Sequence, residues 1–136
     1  MPKIWLKSMV FLDSNILLEI ILKDRVKRYQ VRKYLESISK LDDFSSISML
    51  TVHLIMHFGR KEQIDDYFLQ AVINENELFS LSAEDYEWAL VNERGKDFED
   101  ALQLAVAMRT NCDTFLTLDK KLARDYADLP LKILVV

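Results

Sequence analysis

The chain has 136 residues, half of them apolar, and a formal charge of −4 from 18 basic and 22 acidic side chains. That length fits one domain, residues 1–136, with ample material for a core. The charge argues against a protein that coats nucleic acid through a broad basic field, and the lone Cys112 excludes a disulfide framework or a thiolate metal cluster.

The opening Met1-Pro2-Lys3-Ile4-Trp5-Leu6-Lys7-Ser8 lacks the apolar stretch and small-residue cleavage site of a secretory leader. No apolar run reaches the roughly 18–20 residues that span a bilayer. The expectation is a soluble, cytoplasmic protein without a membrane partner.

The first predicted strand is Met9-Val10-Phe11-Leu12, and Asp13-Ser14-Asn15 then offers side-chain oxygens to the free N–H groups of a helix's first turn. Ile16, Leu17, Ile20 and Ile21 give that helix its apolar face. A dense basic stretch follows, with Lys23, Arg25, Lys27, Arg28, Arg32 and Lys33 interleaved by Val26, Tyr29, Val31, Tyr34, Leu35 and Ile38. It reads as an amphipathic helix, either gripping phosphates or simply solvated.

Phe44 to Ser48 is a second strand, followed by a helix from about Leu50 to Phe58 with Gly59 as its stop. Ile64, Tyr67, Phe68, Ala71 and Val72 mark another helix, and Leu78-Phe79-Ser80-Leu81 a third strand. Ser82 with Asp85 three residues on resembles a capping box opening a helix to about Glu93. Arg94-Gly95-Lys96 is a break. Asp97 to Arg109 is the most regular helix, Thr114 to Thr117 a fourth strand and Leu131 to Val136 a fifth.

Strands alternating with helices predict a three-layer α/β/α sandwich around a mainly parallel sheet, since parallel neighbours need crossovers. Such sheets bind ligands beyond the carboxyl ends of their strands. Asp13 and Asp119 stand at strand ends, and Asp97 and Asp100 in a helix's first turn. Carboxylates gathered there repel one another unless a hard cation such as Mg2+ or Mn2+ neutralises them. Each also has a plainer role: Asp13, Asp97 or Asp119 can cap a helix, and Asp100 can favour a helix dipole.

Three motifs in register resemble the PIN-domain nucleases and, within them, the VapC-type toxins. They are Phe11-Leu12-Asp13-Ser14-Asn15-Ile16-Leu17-Leu18, Asp97-Phe98-Glu99-Asp100-Ala101-Leu102-Gln103, and Cys112-Asp113-Thr114-Phe115-Leu116-Thr117-Leu118-Asp119-Lys120. The resemblance implies a metal-dependent endoribonuclease that leaves 5′-phosphate and 3′-hydroxyl ends. Asp13, Asp100 and Asp119 would hold Mg2+ or Mn2+, with Asp97 auxiliary and Asn15 and Thr117 supporting. It also implies a toxin–antitoxin pairing and a homodimer. Lys120 and Lys121, beside Asp119, are candidate contacts to the RNA backbone.

One motif departs from the family. The usual Ser-x-Leu-Thr-x-x-Glu pattern becomes Ser48-Met49-Leu50-Thr51-Val52-His53-Leu54, so Leu54 stands where a metal-binding Glu is expected. A leucine binds no metal, which keeps open a degenerate domain that binds RNA or protein without cutting. His53 and His57 have the i, i+4 spacing of a zinc pair but neither an intervening Glu nor a third ligand. A receiver domain would need a phospho-accepting Asp on its third strand. A haloacid-dehalogenase-like hydrolase would need Asp where this chain has Asn15.

Overall fold

The structure, a computed structural model, describes residues 8–136; the reading of the first seven residues lies outside them. Five strands are described: β1 (Met9–Leu12), β2 (Phe44–Ser48), β3 (Glu77–Phe79), β4 (Thr114–Thr117) and β5 (Lys132–Val135). They form one sheet in the order β3-β2-β1-β4-β5, with every pairing parallel. Between them run α1 (Ser14–Ile21), α2 (Arg28–Lys40), α3 (Met49–Lys61), α4 (Asp66–Asn74), α5 (Ala83–Asn92), α6 (Phe98–Arg109) and α7 (Lys120–Asp125). The expected α/β architecture with a parallel central sheet is what the chain adopts.

Strand side chains alternate between faces, and the two cores follow that period. Val10, Leu12, Ile47 and Leu116 pack with α1 to α4 through Ile16, Leu17, Val31, Ile55 and Leu69. Phe11 and Phe115 point to the other face, where Leu104, Val106, Leu122 and Tyr126 of α6 and its successors cover them. The two phenylalanines are register partners on adjacent strands, stacked with centroids 5.5 Å apart. Burying a side chain of that size contributes roughly 1.5–3 kcal/mol.

This topology fixes the site. The chain proceeds from β1 to β2 and β3 on one side, then crosses by α5 and α6 to β4 on the other side of β1. The crevice between β1 and β4 is therefore the switch point, where loops diverge beyond the strands' carboxyl ends. Asp13 and Asp119 lie just beyond those two strands.

Several local expectations need correction. Gly59 does not stop a helix: α3 continues to Lys61, and the turn falls where Gln63 adopts a φ of 60°. Gly59 is instead a contact point, because a Cβ there would lie 2.6 Å from Leu69 Cδ2. The basic stretch is not one helix. Lys23, Arg25 and Lys27 belong to the connection after α1, and α2 begins at Arg28, leaving Val26 and Tyr29 exposed. The third strand is shifted towards the amino end, at Glu77–Phe79.

Candidate active site

Asp13 follows β1 and caps α1. It is almost fully buried, and its Oδ1 accepts the Ser14 N–H at 2.8 Å. Its Oδ2 accepts the Thr117 hydroxyl at 2.8 Å and the Asn15 amide at 3.3 Å. Asn15 in turn accepts the Leu118 N–H at 3.2 Å through Oδ1, and Thr117 Oγ1 accepts the Asp119 N–H at 3.1 Å. Thus Asn15 and Thr117 tie the ends of β1 and β4 together around Asp13.

Asp100 sits in the first turn of α6, whose N-cap is Asp97; Asp97 Oδ1 accepts the Asp100 N–H at 3.1 Å. Asp119 caps α7 by accepting the N–H groups of Lys121 and Leu122 at 2.9 and 3.1 Å. Capping and clustering therefore coexist in the same carboxylates. Asp97, Asp100 and Asp119 line a cavity of about 150 Å3 with Arg94, Gly95, Lys121, Leu122, Asp125 and Tyr126. A groove of about 500 Å3, between α2 and the amino ends of β2 and β3, contains none of the four predicted acids.

The electrostatics record the crowding. Burial is the main cause that raises the Asp13 carboxyl to about 6, reinforced by Glu99 and Asp119 and opposed by the Thr117 and Ser14 hydrogen bonds. Burial also leads for Asp100, which rises to about 8 with the charges of Asp13, Asp97, Asp119 and Glu99 added. Two carboxyls so raised mark a crowded acidic cluster.

The nearby cations are engaged elsewhere. Lys121 pairs with Asp125 at 2.9 Å, across the face of Gly95. Arg94 pairs with Asp128, donates to the Asp125 carbonyl at 2.8 Å and covers the Tyr126 ring. The Tyr126 hydroxyl accepts the Arg94 N–H at 2.8 Å, which pins the loop before α6 against α7. Lys121 lines the cleft, whereas Lys120 is exposed and is not part of its lining.

The donor set is all oxygen, which fits a hard divalent cation better than zinc. Among the described residues, no three His, Cys, Asp or Glu side chains converge closely enough to hold an ion as they stand. Asp13, Asp97 and Asp119 each turn an oxygen towards a backbone N–H. Leu54 is half-buried on α3 and brings no charge. His53 and His57 stack at 6.0 Å beside Met56 and Arg60 in a separate surface cleft, outside the lining of the acidic one.

Three residues of the site region were not singled out by sequence. Gln103 is fully buried and bridges α6 to α3, accepting the Ser48 hydroxyl at 2.7 Å and donating to Thr51 at 2.8 Å. Its signal was a polar residue set among apolar ones, on the face of α6 below Asp100. Glu99 accepts the Ser14 hydroxyl at 2.9 Å. Arg94 lay in a segment read only as a break.

Fold and site together define an α/β domain with a carboxylate-lined cleft at its topological switch point. The chain belongs to the PIN domain family, whose model matches residues 10–127. Proteins of that family are in general nucleases. A comparison with curated sequences finds no significant match. Among solved structures, the chain is similar to a toxin–antitoxin complex from Klebsiella pneumoniae, with a TM-score of 0.70 and 19% identity over 93% of this chain and 96% of that one. It is also similar to VapBC2 from Rickettsia felis bound to a promoter DNA fragment (0.63, 18%, 94% and 98%). A third is FitAcB from Neisseria gonorrhoeae (0.62, 14%, 92% and 96%). At these identities the likeness is one of fold. Among the described residues, no helix is long and apolar enough to cross a membrane.

Proposed function

We propose that this PIN domain is a divalent-metal-dependent endoribonuclease and the toxin of a toxin–antitoxin pair. The observation that carries the reading is the gathering of Asp13, Asp100 and Asp119 at one crevice, with Asp13 and Asp100 each raised by burial and by neighbouring carboxylates. Asp13, Asp100 and Asp119 would hold Mg2+ or Mn2+, with Asp97 as auxiliary. Bound there, the ion supplies Lewis-acid activation of water and neutralises charge on the scissile phosphate.

The chain's own residues prepare that chemistry. Thr117 and Asn15 hold the Asp13 carboxylate in place through hydrogen bonds. Asp100, raised to about 8, would hold a cation as its carboxylate, so binding would be coupled to proton release. Lys121 and Arg94, on the cleft rim, can exchange their carboxylate partners for substrate phosphate oxygens. RNA as substrate rests on the resemblance to VapC-type toxins. The complexes of similar fold described as toxin–antitoxin support an antitoxin partner. A homodimer is part of the same proposal, and exposed Tyr86, Leu90 and Val91 of α5 offer apolar surface for one.

A second reading, a domain that binds RNA or protein without cutting, is favoured by Leu54 and by the capping roles of Asp97 and Asp119. One experiment separates the two. Purified protein is incubated with mixed RNA, and separately with single-stranded DNA, in Mg2+ and then Mn2+, beside Asp100→Asn. Metal-dependent RNA cleavage lost in the variant supports the nuclease. Absence of cleavage by folded native protein in either metal supports the binding module.

A further inference from the structure

Residues 23–33 hold six of the chain's 18 basic side chains and only one of its 22 acidic ones, Asp24. The segment is thus a positive island on a protein whose net charge is −4. Lys23, Arg25, Arg32 and Lys33 are exposed, and none joins an ion pair among the described residues. Glu36, the only acid of α2, lies one turn on from Arg32 and makes no ion pair with it. A merely solvated helix face ordinarily laces such charges together at i, i+4. Apolar groups stand among these cations: Val26 is 89% exposed and Tyr29 70%, with the Lys33 ammonium 5.6 Å from the Tyr29 ring centroid. Unpaired cations for phosphates beside an exposed ring for a base are what single-stranded nucleic acid requires.

The segment is held firmly. The buried Glu19 carboxylate accepts the Lys27 N–H at 2.7 Å, and Glu62 accepts the Lys23 N–H at 3.0 Å. Arg28 donates to the Glu19 and Leu22 carbonyls and so fixes the turn into α2. Its place on the molecule is fixed as well. Because α2 delivers the chain to the amino end of β2, its first turn lies towards the sheet's carboxyl edge. There Lys27 Nζ donates to the Val136 main-chain oxygen at 3.1 Å, and the Val136 N–H donates to the Thr117 carbonyl at 3.0 Å. The Thr117 hydroxyl reaches Asp13 at 2.8 Å. A run of hydrogen bonds therefore joins the basic segment to the edge that carries the acidic crevice.

We propose that residues 23–33 form a binding surface for single-stranded RNA leading to the acidic crevice. Lys23, Arg25, Arg32 and Lys33 take backbone phosphates, and the Tyr29 ring stacks on a base. A duplex keeps its base faces stacked on one another, so the exposed ring selects a single strand. This deepens the RNA reading above and rests on it, but it requires neither metal nor cleavage.

The test is fluorescence anisotropy of a labelled single-stranded RNA of mixed sequence, titrated with the full chain in chelator so that nothing is cut. Lys23→Gln/Arg25→Gln, Arg32→Gln/Lys33→Gln and Tyr29→Ala are compared with native protein. Lys61→Gln/Lys132→Gln, a pair of exposed lysines at the ends of α3 and β5, controls for net charge. All these side chains are exposed, and melting temperatures are measured alongside. Each basic pair is expected to weaken binding and to lower the slope of log affinity against log salt by about 0.7 per cation removed. Tyr29→Ala should weaken binding by about 5- to 100-fold with that slope unchanged. The control pair should stay near native in both. Native-like binding in both basic pairs, or an equal loss in the control pair, overturns the surface and leaves RNA as the substrate. Binding of polyglutamate in place of RNA, lost in the same variants, makes the segment a protein dock and overturns the proposal. A native chain that binds no RNA overturns the surface and the RNA reading together. Absence of cleavage in metal, with the expected binding pattern intact, sinks the nuclease and supports the surface.

Discussion

Thr117 and Asp13 are 104 positions apart in the chain, yet the Thr117 hydroxyl donates to Asp13 Oδ2 at 2.8 Å. That bond favours the ionised carboxyl and opposes the burial that raises it. Thr117 is fully buried, so no water replaces a lost hydroxyl. Thr117→Val is therefore expected to destabilise the chain by about 1–3 kcal/mol at pH 7.5 in urea unfolding. The loss should shrink at pH 5, below the Asp13 value of about 6, where the carboxyl is protonated. An equal loss at both pH values would separate Thr117 from the charge of Asp13.

The raised carboxyls make a second expectation about pH. Asp13 and Asp100 bind protons more tightly folded than unfolded, so unfolding releases protons between their ordinary value of 3.8 and about 6 and 8. Stability from this pair is complete below 3.8 and is lost as pH rises through that window. Asp66 and Asp128, and Asp85 in spite of its burial, are held low by arginine partners and act oppositely, losing their contribution as pH falls below the usual carboxylate range. In chelator, the melting temperature should thus be at least about 4 °C higher at pH 5.5 than at pH 8.5. Saturating Mn2+ should remove most of the difference. A flat profile in chelator would contradict the clustering of the two acids.

Asp100→Asn tests stability and function in opposite directions. Removing a charge that repels Asp13, Asp97, Asp119 and Glu99 should raise the metal-free melting temperature at pH 8 by about 2–4 °C. The same change should abolish metal-dependent RNA cleavage. A variant both less stable and inactive would point to a structural role for Asp100.

Gly59 carries a packing prediction. In α3, alanine is ordinarily favoured over glycine by about 1 kcal/mol. Here the added methyl would meet Leu69 Cδ2 and Cδ1 at 2.6 and 2.7 Å, so the fully buried Leu69 side chain has to shift within the core. Overpacking of this kind costs about 1–3 kcal/mol. Gly59→Ala should be net destabilising in chemical denaturation; a gain in stability would show that the contact between α3 and α4 yields easily.

Arg109 and Asp85 lock α5 to α6 through two hydrogen bonds of 2.8 and 2.9 Å, with Asp85 buried at the N-terminus of α5. Asp85→Asn keeps the shape but unpairs Arg109 and weakens the capping box. The expected cost is about 2–4 kcal/mol, read from urea unfolding at pH 7. A loss below about 0.5 kcal/mol would mean that the pair behaves as an exposed one.

Much of this fold is legible locally. The short apolar runs at Val10-Phe11-Leu12 and Phe115-Leu116 mark strands whose two faces feed two cores, and the caps at Asp13, Ser82 and Asp97 announce helices through side-chain chemistry that acts within three residues. Family membership was legible as well, because the three acidic motifs keep their order and spacing. Where local rules compete, they failed: glycine after an apolar run reads as a stop, but Gly59 lies inside α3 in close contact with Leu69, ten positions on. The convergence of Glu99 with Ser14, the bridge from Gln103 to Ser48 and Thr51, and the pairing of Arg94 with Asp128 were decided by tertiary structure alone. Each is a polar contact between segments brought together by the crossover from β3 to β4. Periodicity and capping report which face of an element is buried and where it begins; they carry no information about which distant residue will stand opposite.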